Sequence, residues 1–109
     1  MCLRKFEMNV CAGRDSDAVG EKLQALLDEL WTTLTPQARA ELGRIQAQWE
    51  ALRNRDCTWE RGFFEGGSIA PMVYLNCVTT LTQARINHLK IFLCEGHGMT
   101  GPCEASRKY

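Results

Sequence analysis

Six cysteines, two histidines and a serine behind a glycine pair are the residues of this 109-residue chain whose chemistry stands out. The densest group is CTWERGFFEGGSIAPMVYLNC, with Cys57 and Cys77 at its ends and Gly66-Gly67 at its middle. Thiols in such numbers form disulfides, bind zinc or run redox cycles, and spacing discriminates among these. A redox dithiol is disfavoured because no C-x-x-C occurs. Zinc has three potential ligands in CEGHGMTGPC, namely Cys94, His97 and Cys103. A fourth is not evident and the paired C-x-x-C elements of a zinc ribbon are missing, so no metal is expected. Disulfides remain. An even, high cysteine count is typical of oxidising compartments and rare in cytosolic proteins.

Catalytic candidates are weak. Ser68 follows two glycines, but G-x-S-x-G is not satisfied and no strand precedes it. A helix cap is the better expectation for Ser68. Glu60 and Glu65 are placed where an acid pair could form, yet nothing in their spacing separates them from solvated charges. His88 falls on a helix and His97 in the tail. No phosphate loop or dinucleotide fingerprint exists, so no cofactor is expected. An enzyme is therefore not the expectation; a hydrolase using Ser68 or a carboxylate pair is the outlying alternative.

The elements that must position these residues are helices. Leu23, Leu26, Leu27, Leu30, Trp31 and Leu34 recur at helical spacing, with Glu21, Lys22, Asp28 and Glu29 mostly off the stripe. That helix should stop near Leu34, because Thr35-Pro36 is a capping hydroxyl followed by a proline suited to the first turn. A second helix, with Leu42, Ile45, Trp49 and Leu52 as its stripe and Trp49 as core, is predicted from Pro36 to about Arg61. Gly62 and Gly66-Gly67 end it. Ser68 is expected to cap a third helix that tolerates Pro71 in its first turn and runs to Cys94, with Gly96 as the stop. Phe6 and Val10 belong to a short N-terminal piece that can run on across Gly13. Strand alternation is nowhere sustained. The expected fold is all-α, a disulfide-stapled antiparallel bundle of three long helices plus a short N-terminal segment. One domain, 1–109, is expected, with its core at 15–95 and an irregular tail at 96–109.

Helical geometry narrows the fifteen possible cysteine connectivities. In an antiparallel hairpin, residues equidistant from the turn lie at one height, and the midpoint of 57 and 77 falls on Gly67. Cys57 and Cys77 are thus level, as a disulfide with Cα atoms about 5–6 Å apart requires. Cys94 lies roughly 25 Å further along the third helix than Cys77, which leaves Cys103 as its partner. Cys2 then falls to Cys11. The expected set is Cys2–Cys11, Cys57–Cys77 and Cys94–Cys103.

Trp59, Phe63, Phe64 and Tyr74 crowd the turn. The economical expectation is that they pack beneath it against the disulfide; the sharper one is that some stand exposed as anchors for a protein partner. Thirteen basic and thirteen acidic residues cancel, so nothing in the charge points to nucleic acid or an anionic membrane. No apolar run reaches the roughly 18–20 residues of a membrane span, and the first residues lack the apolar core of a signal peptide. With these cysteines, the chain reads as a mature exported protein without its leader, periplasmic or secreted.

The run Gln46-x-x-Trp49-x-x-x-Arg53-x-x-x-Cys57, followed by Gly66-Gly67-Ser68, Cys77, Arg85 and Leu89, resembles the LprI-like lysozyme-inhibitor N-terminal domain family. The resemblance spans about Cys2 to Phe92. It implies an exported helical protein of bacteria that binds and inhibits lysozyme or a related peptidoglycan-cleaving enzyme. Two departures are visible: Leu23-Gln24 and Leu27 stand where the family often has Leu-Asn and a tyrosine, and the Cys94–Cys103 tail looks added. Residues of the shared motif also have a structural reading. Gln46 and Arg53 are seven apart, on one helix face with Trp49 between, where Arg85 from the third helix can meet them. For inhibition, the expected contacts are Trp59, Glu60, Phe63, Phe64 and Glu65 at the hairpin tip. The alternative partner is a toxin neutralised in immunity fashion, or an assembly partner in the envelope.

Overall fold

The computed structural model describes residues 8–94 and 105–109. Three helices make up nearly all of this: α1 (Met8–Trp31), α2 (Pro36–Gly62) and α3 (Ala70–Leu89). Single 3-10 turns follow at Lys90–Leu93 and Ala105–Lys108, and no strand occurs among the described residues. The all-α bundle expected from the apolar periodicity is the fold observed.

The helix ends show how local chemistry sets the boundaries. α1 begins before Asp15, at Met8, and runs through Gly13 without a break; Cys11 and Ala12 are already buried on it. From Met8 onward the N-terminal piece is thus continuous with α1 across Gly13, while Phe6 lies outside the described residues. α1 stops at Trp31, three residues short of Leu34. There Thr32 and Thr33 bond back to Glu29 and Leu30 through both their amides and their hydroxyls, the hydroxyls at 2.7 and 2.8 Å. Those contacts satisfy carbonyls that a helix end leaves open. Thr35 then caps α2, its hydroxyl accepting from the Ala38 amide at 3.1 Å with Pro36 in the first turn.

Ser68 does not cap α3. The N-cap is Ile69, in a helical conformation with no side-chain capping bond. A capping hydroxyl needs an extended backbone at its own position. Here the chain winds continuously through tight turns, Gly67 bonding to Phe64 at 2.9 Å and Val73 to Ile69 at 2.9 Å. Gly66 carries a positive φ of 83°, which glycine adopts without steric penalty. At the other end α3 closes at Leu89 and tightens into the 3-10 turn Lys90–Leu93, so the α-helix does not reach Cys94.

α3 is the central element, packed against α1 on one side and α2 on the other. α2 runs antiparallel to both neighbours. Val19, Leu23, Leu26 and Leu30 of α1 form the main core with Ile86 and Leu89 of α3, and Leu42 and Trp49 of α2 lean on it. A second, smaller cluster of Cys57, Cys77 and Val78, with Tyr74 and Leu81, lies toward the α2–α3 turn. α2 contributes little to either. Its only fully buried residue is Cys57, and two of its four predicted stripe residues, Ile45 and Leu52, are 43% and 60% exposed. Trp49, expected as core, is half-buried at the edge.

The tail is not wholly irregular. Its 3-10 turn brings Tyr109 against the main core, and the Tyr109 hydroxyl donates to Glu29 Oε1 at 3.0 Å beside Lys108 Nζ at 3.2 Å.

Candidate functional site

Cys57 and Cys77 are joined by a disulfide with Cα atoms 5.5 Å apart, the height match that the midpoint at Gly67 requires. The bond ties the last turns of α2 to the second turn of α3 and encloses the reversal. Cys11 and Cys94 are also disulfide-bonded; Cys2 and Cys103, the partners expected for them, lie outside the described residues. Cys94, being oxidised, is no zinc ligand, and His97 lies outside the described residues too.

Beyond the disulfide the aromatic residues divide. Tyr74 packs against Cys57, Cys77 and Val78, as the economical expectation had it for all four. The other three do not pack there. Trp59 is 71% exposed, Phe63 69% and Phe64 41%. Trp59 on α2 and Phe63, the C-cap residue four positions on, meet edge to face with ring centroids 4.9 Å apart. Helical spacing explains this: Trp59 and Phe63 share a flank of α2 turned away from Cys57, so the bridge that orients Cys57 inward turns them outward. Glu60 and Glu65 are exposed beside them, as is Arg61. Ile69, 42% exposed, extends the apolar surface across the turn. Gly66 permits the reversal, and a Cβ on Gly67 would sit 3.1 Å from the Phe64 carbonyl.

Below the tip, α2 and α3 are joined by a polar belt. Arg85 Nε donates to Gln46 Oε1 at 3.0 Å. Two guanidinium groups rest over the Trp49 ring, Arg53 at 5.1 Å and Arg85 at 5.7 Å from its centroid. Arg53 in turn donates to Asn54 Oδ1 at 2.9 and 3.1 Å and to the Thr82 hydroxyl at 3.4 Å. Gln46, Trp49, Arg53 and Arg85 thus come together as one helix-packing unit in which cation–π contact and hydrogen bonds stand in for apolar burial. Thr82 and Asn54 are members that sequence reasoning missed. Thr82 carried a signal, a hydroxyl three residues before Arg85 on the same face of α3.

Two sequence candidates are not brought together. Ser68 lies at the tip, where its carbonyl accepts from Asn9 Nδ2 at 3.4 Å. His88 lies twenty residues later on the same helical rod, about 30 Å away at about 1.5 Å per residue, with its ring against Phe92. No serine–histidine pair is formed by them. Among the described residues, no group of three or more histidine, cysteine, aspartate or glutamate side chains is placed to hold a metal.

The result is a helical hairpin closed by a disulfide, with Trp59 and Phe63 exposed at its end. The family model described as lysozyme inhibitor LprI matches residues 3–89, most of the chain, and the protein belongs to that family. No curated protein and no solved structure matches this chain.

Proposed function

We propose that the protein is an exported, non-catalytic binding protein that inhibits lysozyme or a related peptidoglycan-cleaving enzyme, using the hairpin tip as its contact surface. The observation that carries this reading is the outward projection of Trp59 and Phe63 from a turn that a disulfide holds shut. Large aromatic side chains are costly to leave in water and dominate the energetics of protein interfaces. A preformed hairpin also loses little conformational entropy on docking. Glu60 and Glu65 supply negative charge at the rim, suited to a basic enzyme. The Cys57–Cys77 disulfide, with Cys11 and Cys94 also oxidised, supports a periplasmic or extracellular location. No helix among the described residues is long and apolar enough to cross a membrane.

The test is an inhibition assay of the oxidised protein against several lysozyme types, repeated with Trp59→Ala/Phe63→Ala and with Glu65→Gln. Inhibition at micromolar protein that the aromatic pair abolishes is the expected result. Inhibition indifferent to all tip substitutions would keep the function and move the surface elsewhere. Absence of inhibition against every type would refute the lysozyme reading.

A further inference from the structure

At the end of the bundle opposite the tip, the closing turns of α1 and α3 and the start of α2 leave a groove of about 960 Å³. Its walls are apolar, with Leu34, Leu42, Ile45, Leu89 and Leu93 among them. The size is within the range of small-molecule sites, which typically combine an apolar lining with a few convergent polar groups. Here those groups include two basic side chains. Arg85 and His88 line the groove from successive turns of α3. The one carboxylate in the lining, Glu41, is already ion-paired with Arg44.

Arg85 is the informative residue. Its Nε is used by Gln46 and its face rests on Trp49, but among the described residues no acceptor meets its two terminal nitrogens and no carboxylate pairs with it. Partial burial also pulls its pKa below the ordinary guanidinium value. Arg85 is half-buried, and Thr79 Oγ1 is the one buried side-chain polar atom without a partner among the described residues, so the terminal nitrogens of Arg85 stay open to solvent or to a ligand in the groove. The Gln46 bond fixes the plane of the guanidinium, leaving its terminal edge available for a bidentate anion.

We propose that this groove binds a single-chain aliphatic carboxylate, with the chain along Leu42, Ile45 and Leu89 and the carboxylate on the terminal nitrogens of Arg85. The apolar walls account for the chain, and the guanidinium edge that no described residue meets accounts for the charge. His88 adds a second donor at the same end. The site is distinct from the hairpin tip and does not depend on what the tip binds.

Isothermal titration of the oxidised protein with decanoate and with decanol, each kept below its solubility and micellisation limits, tests this. Decanoate should bind roughly tenfold or more tightly than decanol, the difference expected for a charged hydrogen-bonded head. Ile45→Glu, at a half-exposed position outside the core, should weaken both ligands while helicity stays unchanged. Arg85→Gln should bring the two affinities together; if that variant fails to fold, the Ile45→Glu comparison still decides. Equal affinity for decanol and decanoate, no binding of decanoate, or binding indifferent to Ile45→Glu would each overturn the proposal.

Discussion

The two ends of the α2–α3 hairpin are built on different principles. Toward the α1–α2 turn, Leu23, Leu26 and Leu30 meet Ile86 and Leu89 in a core made by burial. Toward the tip, the corresponding cluster is small, two of its three buried residues being cysteines, and Cys57–Cys77 does what leucines do at the other end. The difference has a consequence for function. An end held by burial must hide its apolar side chains. An end held by a covalent bond is free to display them, and Trp59, Phe63 and Phe64 are displayed.

Substitutions separate the two ends, and the largest effect belongs to the leucine core. Leu26→Ala, at a fully buried position, should cost about 3–5 kcal/mol in chemical denaturation. Protein that remains folded should bind its partner as before, because the tip is not touched. Replacing Cys57 and Cys77 together by alanine should cost about 2–4 kcal/mol, mainly by freeing the unfolded chain. Unlike Leu26→Ala, it should also weaken tip-dependent inhibition, since the hairpin must then be ordered on binding. If both changes affected stability and inhibition in the same proportion, the contrast between the ends would be wrong.

At the tip itself the pattern should invert. Trp59→Ala with Phe63→Ala should change stability by less than about 1 kcal/mol, both rings being mostly in water. The same pair should raise the inhibition constant by roughly thirtyfold or more, the signature of interface hot spots. The smallest effect is expected where the tail meets α1. Hydrogen bonds from Tyr109 and then Lys108 hold the Glu29 pKa below its ordinary 4.5. A depressed carboxylate pKa contributes stability above the unfolded value, and that contribution is lost as pH falls through the folded one. Melting temperatures of the wild type and Glu29→Gln should therefore differ slightly at pH 7 and converge as the pH falls through the lowered Glu29 pKa. A difference that grew in acid would contradict the assigned contacts.

Much of this architecture was legible in the residues alone, wherever one stretch of chain decides the outcome. Thr35-Pro36 starts a helix because the hydroxyl and the proline act within a single turn. Gly66-Gly67 marks the reversal because Gly66 takes a positive φ, and the midpoint rule then levels Cys57 with Cys77. The failures are instructive in the same way. Ser68 looked like a cap by composition, but capping depends on backbone dihedrals that the continuous winding of the turn does not supply. Ile45 and Leu52 had the periodicity of a core stripe, yet α3 sits nearer the Gln46–Arg53–Cys57 flank and leaves them at the surface.

By itself, then, the sequence determined how many helices form, where the chain reverses and which cysteines close the hairpin. Those features rest on short-range sterics, capping and the helical repeat. Only the tertiary structure decided which flank of α2 is covered, that Trp59 and Phe63 point outward while Tyr74 packs inward, and that Arg85 ends beside an apolar groove with its terminal nitrogens unmet among the described residues. These depend on where neighbouring helices lie, and no local pattern encodes the position of a neighbour that arrives from 30 or more residues away.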